Sequence, residues 1–308
     1  LVYRIGLLRY ATHHLSFDKR RGRGECLEIQ LMIAYHSAEA LLLDLVSDDL
    51  HLKIRAERPA SYPPRQRISI DQAPWLLDCE EYDPPYHVDP KVLEQDKTKV
   101  DGGWADPEDL EAMAEILEAR EAKFRDEDGL PLNPRGRTGI AGRGLLGLWG
   151  PNLSIAAVLL RKGTITGAPE ILLGTTDESQ TLELPKGFVK PEEKGEVGLR
   201  RILEAETGWA TSATGEVISE GYVYDSRQTD HAWVESRGYL VMVDAGDAPD
   251  LFTPTESFEE LGWWPLDSGT VNRIPSGQAT MIRDGLAKLK DAGQLDQELA
   301  DELLAKTG

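Results

Sequence analysis

The alternation of apolar and polar residues divides the chain into stretches of different texture. Residues 27–45 set apolar side chains at helical spacing, and residues 50–54 (LHLKI) alternate apolar with polar as a strand does. Pro59, Pro63 and Pro64, with Ser61, interrupt both patterns and place a boundary or linker at 58–66. From 66 to 135 the chain is rich in proline and acid with little periodicity, apart from a helical repeat over 107–125 (PEDLEAMAEILEAREAKFR). Residues 126–136 read as turns. From 137 the texture changes. RTGIAGRGLLGLWGPN at 137–152 is glycine-rich, and residues 154–160 then form a short apolar run of the kind found in a buried strand. Further strands are expected at 170–173, 181–184, 217–224 and 232–243, with a short one opening at Trp263. Residues 193–207 predict a helix closed by Gly208, and 279–292 and 295–306 predict two more. Strand runs broken by one helix, with helices again at the end, imply an α/β sandwich. There is no internal repeat and no low-complexity tract.

Length and charge narrow this picture. The chain has 308 residues, enough for one large domain or two ordinary ones, and 40% of them are apolar. Lys and Arg number 34 against 54 Asp and Glu, a net charge of -20, so the surface as a whole repels nucleic acid. A small anion can still bind at a local basic group, a helix N-terminus or a divalent metal. Residues 1–24 run against the trend, with Arg4, Arg9, Lys19, Arg20, Arg21 and Arg23 facing the single acid Asp18; they read as a solvated arm or a partner-facing edge. Two cysteines, Cys26 and Cys79, are too few for a disulfide framework and read as buried free thiols of a reducing, cytoplasmic compartment. The longest greasy stretch, 29–46, holds Gln30, His36, Glu39 and Asp44, so it is expected to form an amphipathic helix rather than a membrane span. A chain that opens on Leu1 is expected to be a processed product or a piece of a larger protein.

The chemistry concentrates in GFVKPEEKGEVGLRRILEAETGW at 187–209. This resembles the Nudix box, G-x5-E-x7-R-E-U-x-E-E-x-G-U with U a bulky apolar residue. Gly187, Glu193, Arg201, Leu203, Glu206, Gly208 and Trp209 fill their slots, whereas Ile202 and Ala205 stand where the family has glutamates. Positions 202, 205 and 206 are three and four apart and should share one helix face, a face that in this family holds Mg²⁺ with the bound pyrophosphate. Here it keeps only Glu206, with Glu193 near the helix start, so the resemblance implies residual catalytic and metal roles for these two and at most a weak Mg²⁺ site. Residues 128–152 and GYVYDSRQTDHAWVES at 221–236 resemble the ADP-ribose pyrophosphatase branch. That branch includes a mitochondrial ADP-ribose hydrolase and the C-terminal domain of an ADP-ribose-gated melastatin TRP channel. PWLLDCEEYDPPYH at 74–87 resembles its cap region. The resemblance covers about 66–292 and implies a Nudix α/β/α sandwich at 137–308 behind an N-terminal α+β cap at 1–136, with ligand in the cleft between them. Residues 1–60 match no recognised type.

By the same resemblance, Arg227 is the expected phosphate grip, since a guanidinium can hold phosphate through two nitrogens, and Asp225 orients it or accepts ribose hydroxyls. Gly187, Phe188, Arg161, Lys186, Asp230 and Gln278 complete the expected ligand contacts. Gln278 stands where relatives have a His, and Lys186 where they have a Gly. His231 reads as a polar loop residue rather than a base, and Trp149 as a packing residue ahead of an adenine-stacking face. Glycines 142, 144 and 147 are expected to provide tight turns. Two functions compete, with a third behind them. One is an ADP-ribose-binding sensor or regulatory module with impaired or absent turnover. Another is a working Mg²⁺-dependent pyrophosphatase giving AMP and ribose 5-phosphate, with extra carboxylates from 244–260. The third is an inert module whose residues 1–60 bind a protein partner.

Overall fold

The computed structural model describes residues 57–165, 167–176, 181–190, 193–244, 246–295 and 297–306, all within one unit spanning 51–308. The helix expected at 27–45, the strand at 50–54, the basic arm and Cys26 lie outside the described residues.

The first part is built of short elements: β1 (Tyr86–Val88), α1 (Pro90–Leu93), α2 (Ala114–Ala119), the paired β2 (Phe124–Arg125) and β3 (Pro131–Leu132), and β4 (Ala141–Gly144), which runs parallel to β1. Asp89 caps α1 by accepting from the Lys91 amide at 3.1 Å, and Pro90 occupies the first turn. The helix expected over 107–125 shrinks to the six residues of α2. It ends at Arg120, whose backbone turns extended while its guanidinium reaches the fully buried Asp106 carboxylate and the Trp149 carbonyl at 2.6 Å. The tertiary ion pair, not the local repeat, sets that end.

The second part comprises β5 (Gly150–Lys162), β6 (Pro169–Thr175), β7 (Leu182–Glu183), β8 (Lys186–Phe188), α3 (Gly195–Thr207), β9 (Glu216–Tyr222), β10 (Ala232–Val243), β11 (Glu260–Pro265), α4 (Ser268–Val271), α5 (Ser276–Asp291) and α6 (Gln297–Lys306). The sheet runs β11-β6-β5-β10-β9, with β7 alongside β6 and β8 alongside β5. Central β5 and β10 are parallel, in register from Gly150 opposite Ala232 to Arg161 opposite Val243. Residues 155–160 are apolar at every position because both faces are covered. Ile155, Ala157 and Leu159 face α3 through Leu199, Ile202 and Leu203. Ala156, Val158 and Leu160 face α5 through Ile282, Leu286 and Leu289. This is the α/β sandwich with a smaller N-terminal part. Each of these large side chains contributes about 1.5–3 kcal/mol by leaving water.

The glycines of 137–152 do more than turn the chain. A Cβ on Gly142 would lie 2.5 Å from the His87 carbonyl, one on Gly144 1.9 Å from the Tyr62 hydroxyl, and one on Gly147 2.5 Å from the Trp104 ring. Each glycine leaves room for an N-terminal residue to approach the backbone. The segment 58–66 is correspondingly not a free linker: Tyr62 is buried, and the Gln66 amide donates to the Gly139 carbonyl at 2.8 Å. Cys79 is a free thiol, half-buried rather than buried.

Candidate functional site

Strand β8 organises the site. Its three residues point alternately, so Lys186 and Phe188 face one way and Gly187 the other. Gly187 lies opposite Ile155 and beneath α3, where a Cβ would come within 3.2 Å of Ile202 Cγ1. Ile202 is 1% exposed and packed in the core, Ala205 is exposed, and Glu206 is half-buried. The expectation that 202, 205 and 206 line one open face therefore needs correction. α3 lies flat on the sheet, so position 202 points into the core and only 205 and 206 reach the surface.

Glu193 is committed to the fold. Both its oxygens accept from Arg201, through Nε and Nη2 at 2.8 Å each, and the Lys190 amide adds a bond of 3.1 Å. Arg201 Nη2 also donates to the Phe188 carbonyl at 2.8 Å, tying α3 to the end of β8. The Arg201 guanidinium holds the Glu193 carboxyl below the usual carboxylate range. Glu206 behaves oppositely. Burial raises its pKa, against a hydrogen bond with Ser257 and the nearby charge of Lys186. Lys186 ion-pairs with Glu183. Gln278 Oε1 accepts from the Leu184 amide at 2.7 Å, and its Nε2 donates to Glu183 Oε2 at 3.4 Å.

At the end of β8, Arg227 lies over the Phe188 ring, 4.9 Å from its centroid. Asp225 grips it through Nε at 2.8 Å and Nη2 at 2.6 Å, and this ion pair raises the Arg227 pKa over the opposing effect of burial. Contacts thus form two groups, Arg227, Asp225 and Phe188 in one, and Lys186, Glu206, Glu183 and Gln278 in the other.

Two expected residues sit elsewhere. Arg161 is buried at the far end of β5, over the Trp263 ring at 4.3 Å and paired with Glu170 at 2.8 Å and Asp250 at 2.7 Å. It lies five residues beyond Ala156, the partner of Lys186, or about 16 Å along a strand. Asp230 is 2% exposed and accepts from the Tyr82 hydroxyl at 2.6 Å, the Thr138 amide at 2.6 Å and the Thr138 hydroxyl at 2.8 Å. It joins the N-terminal part to the sandwich, and burial raises its pKa. Neighbouring His231 is a loop brace. Its Nδ1 accepts from the Gly142 amide at 3.0 Å, which leaves Nε2 to face Asp126 at 3.2 Å. Trp149 is packed, with Nε1 donating to the Pro107 carbonyl at 3.2 Å. Sequence reasoning did not single out Glu183, Ser257, Tyr62 or Arg65. Ser257 does lie in the acidic stretch 244–260, but it brings a hydroxyl rather than a carboxylate to Glu206. A cavity of about 490 Å³ opens between 209–214 and 242–247; none of the residues around β8 lines it.

Among the described residues, those at α3 do not fit a multi-carboxylate Mg²⁺ cage. One carboxylate is braced by Arg201, one slot is a core isoleucine, one is an alanine, and Glu206 stands beside an ammonium. Among the described residues no helix is long and apolar enough to cross a membrane.

A helix carrying the 187–209 motif, preceded by a glycine-bearing strand on a mixed sheet covered on both faces, defines the class, and comparison with known proteins agrees. Residues 68–150 match the NUDT9-like N-terminal domain and residues 151–284 the NUDIX domain. The putative nudix hydrolase 6 of Caenorhabditis elegans is 33% identical over 215 residues, covering 59% of this chain and 79% of that protein. The mitochondrial ADP-ribose pyrophosphatase of Rattus norvegicus is 27% identical over 249 residues, 68% of this chain and 69% of that one. The transient receptor potential cation channel subfamily M member 2 of Mus musculus is 30% identical over 190 residues, 55% of this chain but 12% of the channel. The chain belongs to the Nudix family.

Proposed function

We propose that this chain binds ADP-ribose, or a related nucleoside diphosphate-linked ligand, as a sensor or regulatory module with impaired or absent pyrophosphatase activity. The observation that carries the proposal is the state of the catalytic helix. Ile202 is sealed in the core, Ala205 has no donor, and Glu193 is held by Arg201, while the Arg227–Asp225–Phe188 group is intact. Recognition outlasts hydrolysis in such a site, because gripping a diphosphate needs cations and amides whereas cutting it needs a positioned base and metal. In this reading Arg227 holds a phosphate through its outer nitrogens, Asp225 fixes its plane, Phe188 supports its face, and Lys186 and Gln278 border the same strand. The ligand class comes from a relative named for ADP-ribose. The proposal extends to an N-terminal cap and Nudix sandwich meeting near 136/137, to a cytoplasmic setting, and to covalent attachment within a longer protein, as in the channel relative.

Calorimetry with ADP-ribose, with and without Mg²⁺, tests this directly alongside an assay for AMP release. The expected result is micromolar binding, as for a metabolite sensor, with a Kd little changed by Mg²⁺ and no turnover at catalytic protein concentration. Arg227→Ala should weaken binding at least about tenfold, the loss of one charged phosphate contact. One observation favours active pyrophosphatase as the second reading: the raised pKa of Glu206 suits a general base. Rapid release of AMP and ribose 5-phosphate, lost in Glu206→Gln, would establish that reading instead.

A further inference from the structure

Segment 57–66 grips the loop that presents Arg227. The Tyr62 hydroxyl donates to the Arg227 carbonyl at 2.8 Å and accepts from the Leu145 amide at 2.5 Å. It can sit there because Gly144, at φ +58°, carries no Cβ in its way. Arg65 Nη2 donates to the carbonyls of Ser226 and Gln228, both at 2.9 Å, so one guanidinium nitrogen straddles Arg227. Its Nη1 reaches the Thr138 carbonyl at 3.2 Å and its Nε the Glu57 carbonyl at 3.0 Å. Three consecutive carbonyls, 226, 227 and 228, therefore accept from two side chains more than 160 residues away in sequence. Asp225 fixes the Arg227 side chain by accepting from its Nε and Nη2. Tyr62 and Arg65 both precede residue 68, where the family match begins.

We infer that Tyr62 and Arg65 are positioning residues for diphosphate recognition: they hold the backbone that aims Arg227 and so set the affinity for the ligand. The inference rests on the proposed role of Arg227. A planar guanidinium grips phosphate through two nitrogens only when its plane is held within roughly 10–20° of the productive geometry. A loop free to move would have to be ordered on binding, which weakens affinity. Removing the Tyr62 hydroxyl leaves the Arg227 carbonyl and the Leu145 amide without their partner, and an ammonium at 65 cannot reproduce the planar fork.

The test is calorimetry of the full chain with ADP-ribose, taken to millimolar ligand, on wild type, Tyr62→Phe, Arg65→Met, Arg227→Ala and the Tyr62→Phe/Arg227→Ala double variant. Thermal unfolding of each is recorded alongside. The single strap variants should weaken binding about 5- to 20-fold. The double variant should bind no more weakly than Arg227→Ala alone, since the strap acts through that side chain. If Tyr62→Phe does not fold, Arg65→Lys, which keeps the charge and loses the straddle, takes its place. Strap variants that bind like wild type, or that weaken both backgrounds by the same factor, overturn the inference and leave the role of Arg227 standing. Wild-type affinity in Arg227→Ala overturns the role of Arg227, and the strap inference with it.

Discussion

Arg227 and Glu206 show how differently two charged groups can be treated in one site. Arg227 keeps its own counter-ion two residues back, so it stays charged and oriented whether or not an anion is present. Glu206 has no such partner fixed on its own helix, and burial favours its protonated form. A carboxyl whose folded pKa is raised contributes stability at pH values below its ordinary 4.5, and that contribution is lost as pH rises through the folded value. Glu206→Gln should therefore unfold at a higher temperature than wild type near pH 7.5 and at about the same temperature near pH 4. Scanning calorimetry at the two pH values checks this, and equal shifts at both would deny the protonation effect. Arg227, Asp225 and Phe188 were legible as candidates because they lie in two short motifs. Tyr62, Arg65 and Glu183 were not, because their importance lies in what they touch, and Tyr62 touches a carbonyl 165 residues away.

The element of most consequence is α3. Its spacing predicted a shared face for 202, 205 and 206, but packing on the sheet buries 202 and exposes 205. Restoring both family glutamates is thus two different experiments. Ala205→Glu places a carboxylate in solvent and should change stability by no more than about 0.5 kcal/mol. Ile202→Glu puts one among Ile155, Leu199 and Leu203 under Gly187, and should destabilise by about 3–5 kcal/mol unless a cation joins it. Urea titration of the two variants, repeated with 10 mM Mg²⁺ (about the saturating range for a weak carboxylate site), measures both terms. The glycines of 137–152 teach a related lesson. A one-dimensional reading sees flexible turns, whereas the folded chain uses the missing side chains as docking gaps for Tyr62, His87 and Trp104. Gly144→Ala should be as damaging as a core truncation, because its φ is positive and the Tyr62 hydroxyl fills the space.

At the scale of the whole molecule, two buried carboxylates matter, one bracing the N-terminal part and one joining it to the sandwich. Asp106 is fully buried and accepts from Lys97 at 2.8 Å, from Arg120, and from the Trp149 amide at 3.0 Å. Burial works to raise its pKa, but Arg120 and Lys97 outweigh it and hold the carboxyl below 3.8. Its contribution is therefore complete above that pH and is lost as pH falls through the lower folded value. Asp230 binds Tyr82 and Thr138 across the two parts of the fold. Asp230→Ala would take the acceptor from the Tyr82 hydroxyl and the Thr138 amide and leave the Thr138 hydroxyl only its 3.3 Å bond to the Ile140 carbonyl, and should cost about 2–4 kcal/mol, read from the midpoint of urea unfolding. The sequence by itself determined the α/β sandwich, its longer strands, the position of α3 and the presence of Ile202 and Ala205 in the motif, because hydrophobic period and short motifs are local properties of the chain; it did not mark the short strand β8. Tertiary structure alone decided that Ile202 is sealed inside, that Glu193 pairs with Arg201 and Arg161 with Glu170 and Asp250, and that the segment 57–66 bonds to the backbone around Arg227. Each of these depends on contacts between residues far apart in sequence, where burial and charge pairing rather than local preference set the free energy.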